Sequence, residues 1–339
     1  MSSAGPRSID APPIDAPPVG LAAIERARGA LAGRVSATPL VHSPSLTGRL
    51  GAPVFLKLDS RQETGSFKLR GATNALLALG DDARRRGVAT ASTGNHGRAL
   101  AHAAKALGVR AVVCLSALVP ANKVEAVRAL GAEVRIVGRS QDDAQVEVDR
   151  LVREEGLTAI PPFDHPDVIA GQGTLGLEVV EELPDLATML VPLSGGGLAA
   201  GVAAAVKGVK PSVRVIGISM ARGAAMHASL GAGRPVAVEE VETLADSLGG
   251  GIGLANRYTF AMCRALLDDV VLIDEAEIAA GICHAFHAEG EVVEGAGAVG
   301  VAAILAGRIA ADGPVVALVT GRNIDPERHR AIVAEGGAA

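Results

Sequence analysis

Residues 87–137 read GVATASTGNHGRALAHAAKALGVRAVVCLSALVPANKVEAVRALGAEVRIV, and the reading of this stretch decides the fold. Short apolar runs at 88–91, 111–115 and 134–137 alternate with helical periods at 96–107 and 122–130, the helices ended by Gly108 and Gly131. Apolar residues at a 3.6 period mark a helix, and a glycine just beyond it supplies the left-handed stop without a steric penalty. Strands that alternate with helices are joined by crossovers and so lie parallel. Three strands make a small sheet, which predicts a minor α/β unit over residues 80–162.

On either side the pattern resumes. Strands are predicted at 188–193, 213–218, 270–273 and 315–319 with helices between them, and a further strand at 54–58. The expectation is an α/β chain of two open units: a large one from 19–79 plus 163–339, and a smaller one, 80–162, inserted in it. A helix is predicted over 21–34, interrupted before Pro39, and another over 67–79. Residues 1–18 repeat Ala-Pro-Pro without an apolar period, the mark of a disordered arm.

Composition narrows the function classes. The chain of 339 residues has no Trp, one Tyr and five Phe, so its core must be built from Ala, Val, Leu and Ile. Few aromatic platforms and a net charge of −5 argue against nucleic acid as a partner. No apolar run reaches the ~18–20 residues of a membrane span, and the N-terminus lacks a basic-then-apolar signal. Cys114, Cys263 and Cys283 are widely spaced, which suits a reducing, cytoplasmic compartment, with Cys114 buried in its strand. Arg84, Arg85 and Arg86 read as a solvated helix end. The expected partners are a small-molecule substrate and further copies of the chain, as a homodimer or homotetramer, with no membrane.

Four segments carry chemistry. TGSFKLRG at 64–71 places Lys68 in the first turn of a helix, where the dipole disfavours a cation and lowers the cost of losing its proton. STGNHGR at 92–98 lies between a strand end and a helix start, so its N–H groups suit a carboxylate. Asn95 is placed to donate to a ring oxygen, and His96 to orient the loop. SGGGL at 194–198 follows a strand and opens an Ala-rich helix; its glycines let the backbone approach a phosphate. TGRN at 320–323 ends the last strand, where α/β sheets bind ligands.

In order and context these segments resemble the β-family, or fold-type II, of pyridoxal-phosphate enzymes, and among them the threonine/serine dehydratases and serine racemases. The resemblance runs from about residue 37 to 323 and rests on SFKLRGA at 66–72, TGNHG at 93–97, GAEV at 131–134 and the glycine loop. It implies the tryptophan-synthase β-subunit-like fold and pyridoxal 5′-phosphate as cofactor. Lys68 is then the Schiff-base lysine, with Phe67 beside the ring and Asn95 on the ring's 3′-oxygen. Ser194, Gly195, Gly196, Gly197 and Leu198 hold the phosphate, and Thr320 faces the ring nitrogen. Ser92, Thr93, Gly94, Asn95 and His96 take the substrate carboxylate, and Thr93 stands where serine racemases carry an opposite-face acid/base.

The chain also departs from that pattern. Ser219, Gly223 and Ala225 stand where metal-activated relatives carry acids, so no metal is expected. Arg98 replaces a usual Gln, and Ser194 the first glycine of the usual loop. ANKVE at 121–125, GRSQDD at 138–143, LADSLGGGIGL at 244–254 and GRNID at 321–325 look like the hydroxyectoine-utilisation dehydratases. Cyclic hydroxyectoine has no primary amine, so a ring-opened hydroxylated diaminobutyrate, or its acetyl form, is the expected substrate. The alternatives are a threonine, serine or 3-hydroxyaspartate dehydratase and an amino-acid racemase.

Overall fold

Two sheets organise the chain, and the smaller is built wholly from strands that fall between strands of the larger. The structure, a computed structural model, describes residues 17–92, 94–119 and 121–336. The arm expected at 1–18 lies outside the described residues except for Pro17 and Pro18. The strands are β1 (Leu40–His42), β2 (Val54–Leu58), β3 (Val88–Ala91), β4 (Ala111–Leu115), β5 (Glu133–Ile136), β6 (Thr158–Ala159), β7 (Thr188–Pro192), β8 (Arg214–Met220), β9 (Asp269–Ile273) and β10 (Val315–Val319). The larger sheet runs β1-β2-β10-β7-β8-β9 and the smaller β5-β4-β3-β6. Every pairing is parallel except β1 with β2.

The expected three-stranded small sheet has a fourth strand, β6. It is two residues long and pairs β3 only through Val88–Thr158 and Ala89–Ala159, too short for any period to show. β1 is three residues long and equally unreadable. The helix expected over 21–34 ends at Leu31, and the one expected over 67–79 spans Lys68–Leu77, with Phe67 as its N-cap.

Both faces of the larger sheet are buried, which explains why its strands are continuous apolar runs rather than alternating ones. Met189, Val191, Val316 and Leu318 face one core, while Leu190, Val315, Ala317 and Val319 face the other. In the smaller sheet Val113 and Leu115 face one side, and Val112 and Cys114 the other. With so few aromatics the helices close the gaps by approaching one another's backbones. A Cβ on Gly201 would stand 2.3 Å from the Ile169 carbonyl, and one on Gly173 2.8 Å from that of Gly201. The helices Pro166–Glu182 and Gly197–Val209 therefore cross nearly in backbone contact.

A buried ion network anchors the Lys68 helix. Arg70, 1% exposed, donates to Asp59 at 2.8 and 2.9 Å and to Glu178 at 2.5 and 3.0 Å. Lys57, fully buried, reaches Glu178 at 2.9 Å, Glu182 at 2.7 Å and the Thr38 carbonyl at 2.7 Å. Burial alone would raise the Asp59 pKa, but the Arg70 charge and hydrogen bonds from Arg70, Thr38 and Gln62 bring it below the usual carboxylate range. The arginine two residues after Lys68 thus ties that helix to β2 and to the helix Pro166–Glu182.

Candidate active site

Lys68 is the first residue of its helix, and its amine is half-buried against the Pro162 carbonyl at 2.8 Å. The Phe67 ring lies beside it, with its centroid 5.2 Å from Nζ. Burial pulls the Lys68 pKa down to about 8, and the Glu294 carboxylate partly opposes that fall. The segment entering the helix is clipped to the end of β10: Phe67 N–H donates to the Thr320 carbonyl at 3.0 Å and Arg322 N–H to the Gly65 carbonyl at 2.9 Å. Lys68 and Thr320, far apart in sequence, are therefore brought together at the mouth of the larger sheet.

The glycine loop lies at the end of β7. Gly196 has φ +89° and caps the helix Gly197–Val209, with no side chain bonded to that helix start. The first N–H groups of a helix lack intrahelical partners, so this end is open to an anion. There is no room for side chains: a Cβ on Gly195 would meet the Phe163 ring at 2.5 Å, and one on Gly196 would meet Met226 Cε at 2.7 Å and Cys263 Sγ at 2.9 Å. Burial pushes the Cys263 thiol up to about 12, so it stays protonated behind the loop and donates to the Gly196 carbonyl at 3.7 Å. Gly196→Ala is expected to lower stability by about 1–2 kcal/mol from its left-handed backbone alone and to weaken cofactor retention. Thermal unfolding and cofactor titration check both, and an unchanged variant would mean the loop tolerates a side chain.

At the end of β3, Gly97 N–H donates to Ser92 Oγ at 3.3 Å, and a Cβ on Gly97 would stand 2.2 Å from the Ser92 carbonyl. Gly94 caps the helix Asn95–Leu107, again with no side-chain bond at the cap. Gln141 braces the loop from behind, donating to the Ala91 carbonyl at 2.6 Å. Thr93 lies outside the described residues. His96 Nε2 sits 2.9 Å from the Ile160 carbonyl, which can only accept, so that nitrogen carries the proton. Burial, then the Lys68 charge, lowers the His96 pKa to about 3. The ring is neutral, and its Nδ1 has no hydrogen-bond partner among the described residues. Arg98, two residues on, has a buried Nε that likewise has no hydrogen-bond partner among the described residues.

Asn95 donates to Glu294 Oε1 at 2.7 Å and accepts from Asn323 Nδ2 at 2.6 Å. An amide nitrogen carries two hydrogens, so one N–H remains for a ring oxygen. Glu294 was not anticipated from sequence, and Asn323 was quoted without a role. The only local signal for Glu294 is its place before Gly295, at the N-terminus of the helix Gly295–Leu305. Phe163, which packs on the glycine loop, was also missed. At the positions where metal-activated relatives carry acids, Ser219 is buried in β8, Gly223 has φ +74° and Ala225 opens a short helix. Among the described residues no three His, Cys, Asp or Glu gather as a ligand set, and no helix is long and apolar enough to cross a membrane.

A lysine with a lowered pKa, a glycine-lined helix N-terminus with no side-chain cap and an amide with a spare N–H together fit pyridoxal phosphate. Comparison with known proteins points the same way. The family described as "Pyridoxal-phosphate dependent enzyme" matches residues 31–321. A provisionally named threonine dehydratase of Sinorhizobium fredii is 63% identical over 93% of this chain and 95% of its own length. An L-threonine ammonia-lyase of Geobacter sulfurreducens is 41% identical over 92% of this chain and 78% of its own. The structure of maize serine racemase superposes with a TM-score of 0.87 at 31% identity, over 94% of this chain and 98% of that one.

Proposed function

Because the chain belongs to the pyridoxal-phosphate-dependent enzymes, as a threonine-dehydratase-like lyase, we propose that it removes water from a small β-hydroxy amino compound in the breakdown of hydroxyectoine. The observation that carries the reading is Lys68: an amine in the first turn of its helix, beside the Phe67 ring and the Pro162 carbonyl, whose pKa burial lowers to about 8. When bound, the cofactor supplies an electron sink for the carbon bearing the substrate amine. Ser194, Gly195, Gly196, Gly197 and Leu198 would hold its phosphate, Thr320 would face its ring nitrogen, and Phe67 would cover one side. The N–H groups from Ser92 to His96 would bind the substrate carboxylate and set its orientation. Lys68 Nζ, once released, would take the proton from the carbon bearing the amine. Thr93 would serve as the acid/base of the other face.

Support for the hydroxyectoine branch comes from where its signature runs fall. LADSLGGGIGL at 244–254 passes beside the site, since a Cβ on Gly295 would touch the Leu244 carbonyl at 2.2 Å. GRSQDD at 138–143 supplies Gln141, the brace of the substrate loop. A second reading, an L-threonine dehydratase, is favoured by the names of the relatives. A panel of hydroxyectoine, its ring-opened forms, L-threonine, L-serine and 3-hydroxyaspartate decides between them. The expected outcome is a kcat/KM for a ring-opened form about tenfold or more above that for L-threonine. Equal or better turnover of L-threonine would select the second reading.

A further inference from the structure

Asn95 stands where three segments meet, and their hydrogen bonds leave its amide only one orientation. Asn323 Nδ2 donates to the Thr64 carbonyl at 2.9 Å. A carbonyl only accepts, so the NH₂ end of Asn323 is the end that faces both Thr64 and Asn95. Asn95 must then offer its oxygen to Asn323, at 2.6 Å. From the other side, Glu294 Oε1 lies 2.7 Å from Asn95 Nδ2, and a carboxylate also only accepts. Two independent constraints agree, which is how an amide orientation is assigned. Glu294 is itself fixed: Oε2 accepts Asn323 N–H at 3.2 Å, and its own N–H donates to the Gly321 carbonyl at 3.1 Å.

Glycines make the room. A Cβ on Gly65 would stand 2.6 Å from Asn323 Oδ1, and one on Gly321 2.3 Å from Glu294 Oε1. Glu294 is 4% exposed and Asn95 8%. A carboxylate is buried beside the site and hydrogen-bonded to the side chain that the functional reading sets on the 3′-oxygen of the cofactor ring.

The geometry points to Glu294 and Asn323 as positioning residues that lock the Asn95 amide in one polarity, so that a donor and not an acceptor meets the 3′-oxygen of the cofactor ring. This rests on the pyridoxal-phosphate reading of the site. Without Asn323 the Asn95 oxygen loses its partner. With Gln at 294, the facing amide both donates and accepts, so that side no longer demands a donor from Asn95. Each change removes one of the two constraints and leaves the other, so the Asn95 amide is held less firmly and its N–H meets the ring oxygen less well.

The test is titration of cofactor-stripped protein with pyridoxal phosphate, followed by visible absorption, for Glu294→Gln and Asn323→Ala, each with and without Asn95→Ala. Unfolding temperature of the cofactor-free protein is measured alongside. Each substitution is expected to weaken affinity about tenfold when Asn95 is present and less than about twofold in the Asn95→Ala background, because the effect passes through that amide. Equal losses in both backgrounds, or none in either, would overturn the proposal and leave the network a purely structural one. Should Glu294→Gln fail to fold, Asn323→Ala retains the Asn95–Glu294 bond and carries the test. If wild-type protein develops no visible absorption, the functional reading fails; if it does and the cycle shows no coupling, only the positioning role fails.

Discussion

Lys68→Ala is expected to remove the visible absorption of the lysine-bound cofactor and to abolish dehydratase activity. The proton-transfer role alone is worth about 10²–10⁴-fold, and loss of covalent attachment adds to it. A readout independent of turnover exists in the cofactor-free protein. The unfolded chain keeps the Lys68 proton up to its ordinary value of 10.5, whereas the folded chain keeps it only to about 8. Between those values the unfolded state binds more protons, so wild-type stability rises with pH across this window. Lys68→Ala should lack that rise. Denaturant unfolding from pH 7 to 11 measures it, and an identical pH slope in the two proteins, or retained activity in the variant, would remove Lys68 from the centre of the mechanism.

The second large effect falls on stability. Arg70→Ala leaves Asp59 buried without its counter-charge, and a broken buried pair costs about 3–5 kcal/mol. The pH dependence separates this from a plain cavity. In the wild type, Asp59 contributes stability above its ordinary value of 3.8, and that is lost as pH falls through its lowered folded value. In the variant burial is opposed only by the hydrogen bonds from Thr38 and Gln62, the carboxyl holds its proton more readily than in the wild type, and acid relieves the penalty. The gap between the two proteins should narrow as pH drops. A variant as stable as the wild type, or a gap independent of pH, would show that Asp59 finds another partner.

How far the sequence could be read depends on the range of each interaction. The α/β alternation from 87 to 137, the glycines after β7 and the lysine at a helix start are local patterns, and the structure places the elements and the site segments close to where those patterns put them. Roles that depend on distant partners stayed hidden. Glu294 meets Asn95 across 199 residues and Asn323 meets Asn95 across 228, so neither has a neighbour in sequence that betrays its use. Arg70 was visible as a motif letter, but its partner Glu178 is 108 residues away. Gly321 and Gly65 make room for a carboxylate and an amide that lie far from them in sequence. β1 and β6 escaped because strands of three and two residues carry no period.

β10 lies between β2 and β7 in the larger sheet, although both of those strands precede it in the chain. A nascent chain that ends before Val315 has β2 and β7 without the strand that joins them, and it lacks the Thr320 carbonyl that clips Phe67 beside Lys68. The lysine, the glycine loop and the Ser92 loop are all made earlier, but without β10 the segment that enters the Lys68 helix is not clipped in place. Firm capture of the cofactor is thus expected to need β10, and a chain cut by proteolysis upstream of it is expected to bind pyridoxal phosphate more weakly than the whole one.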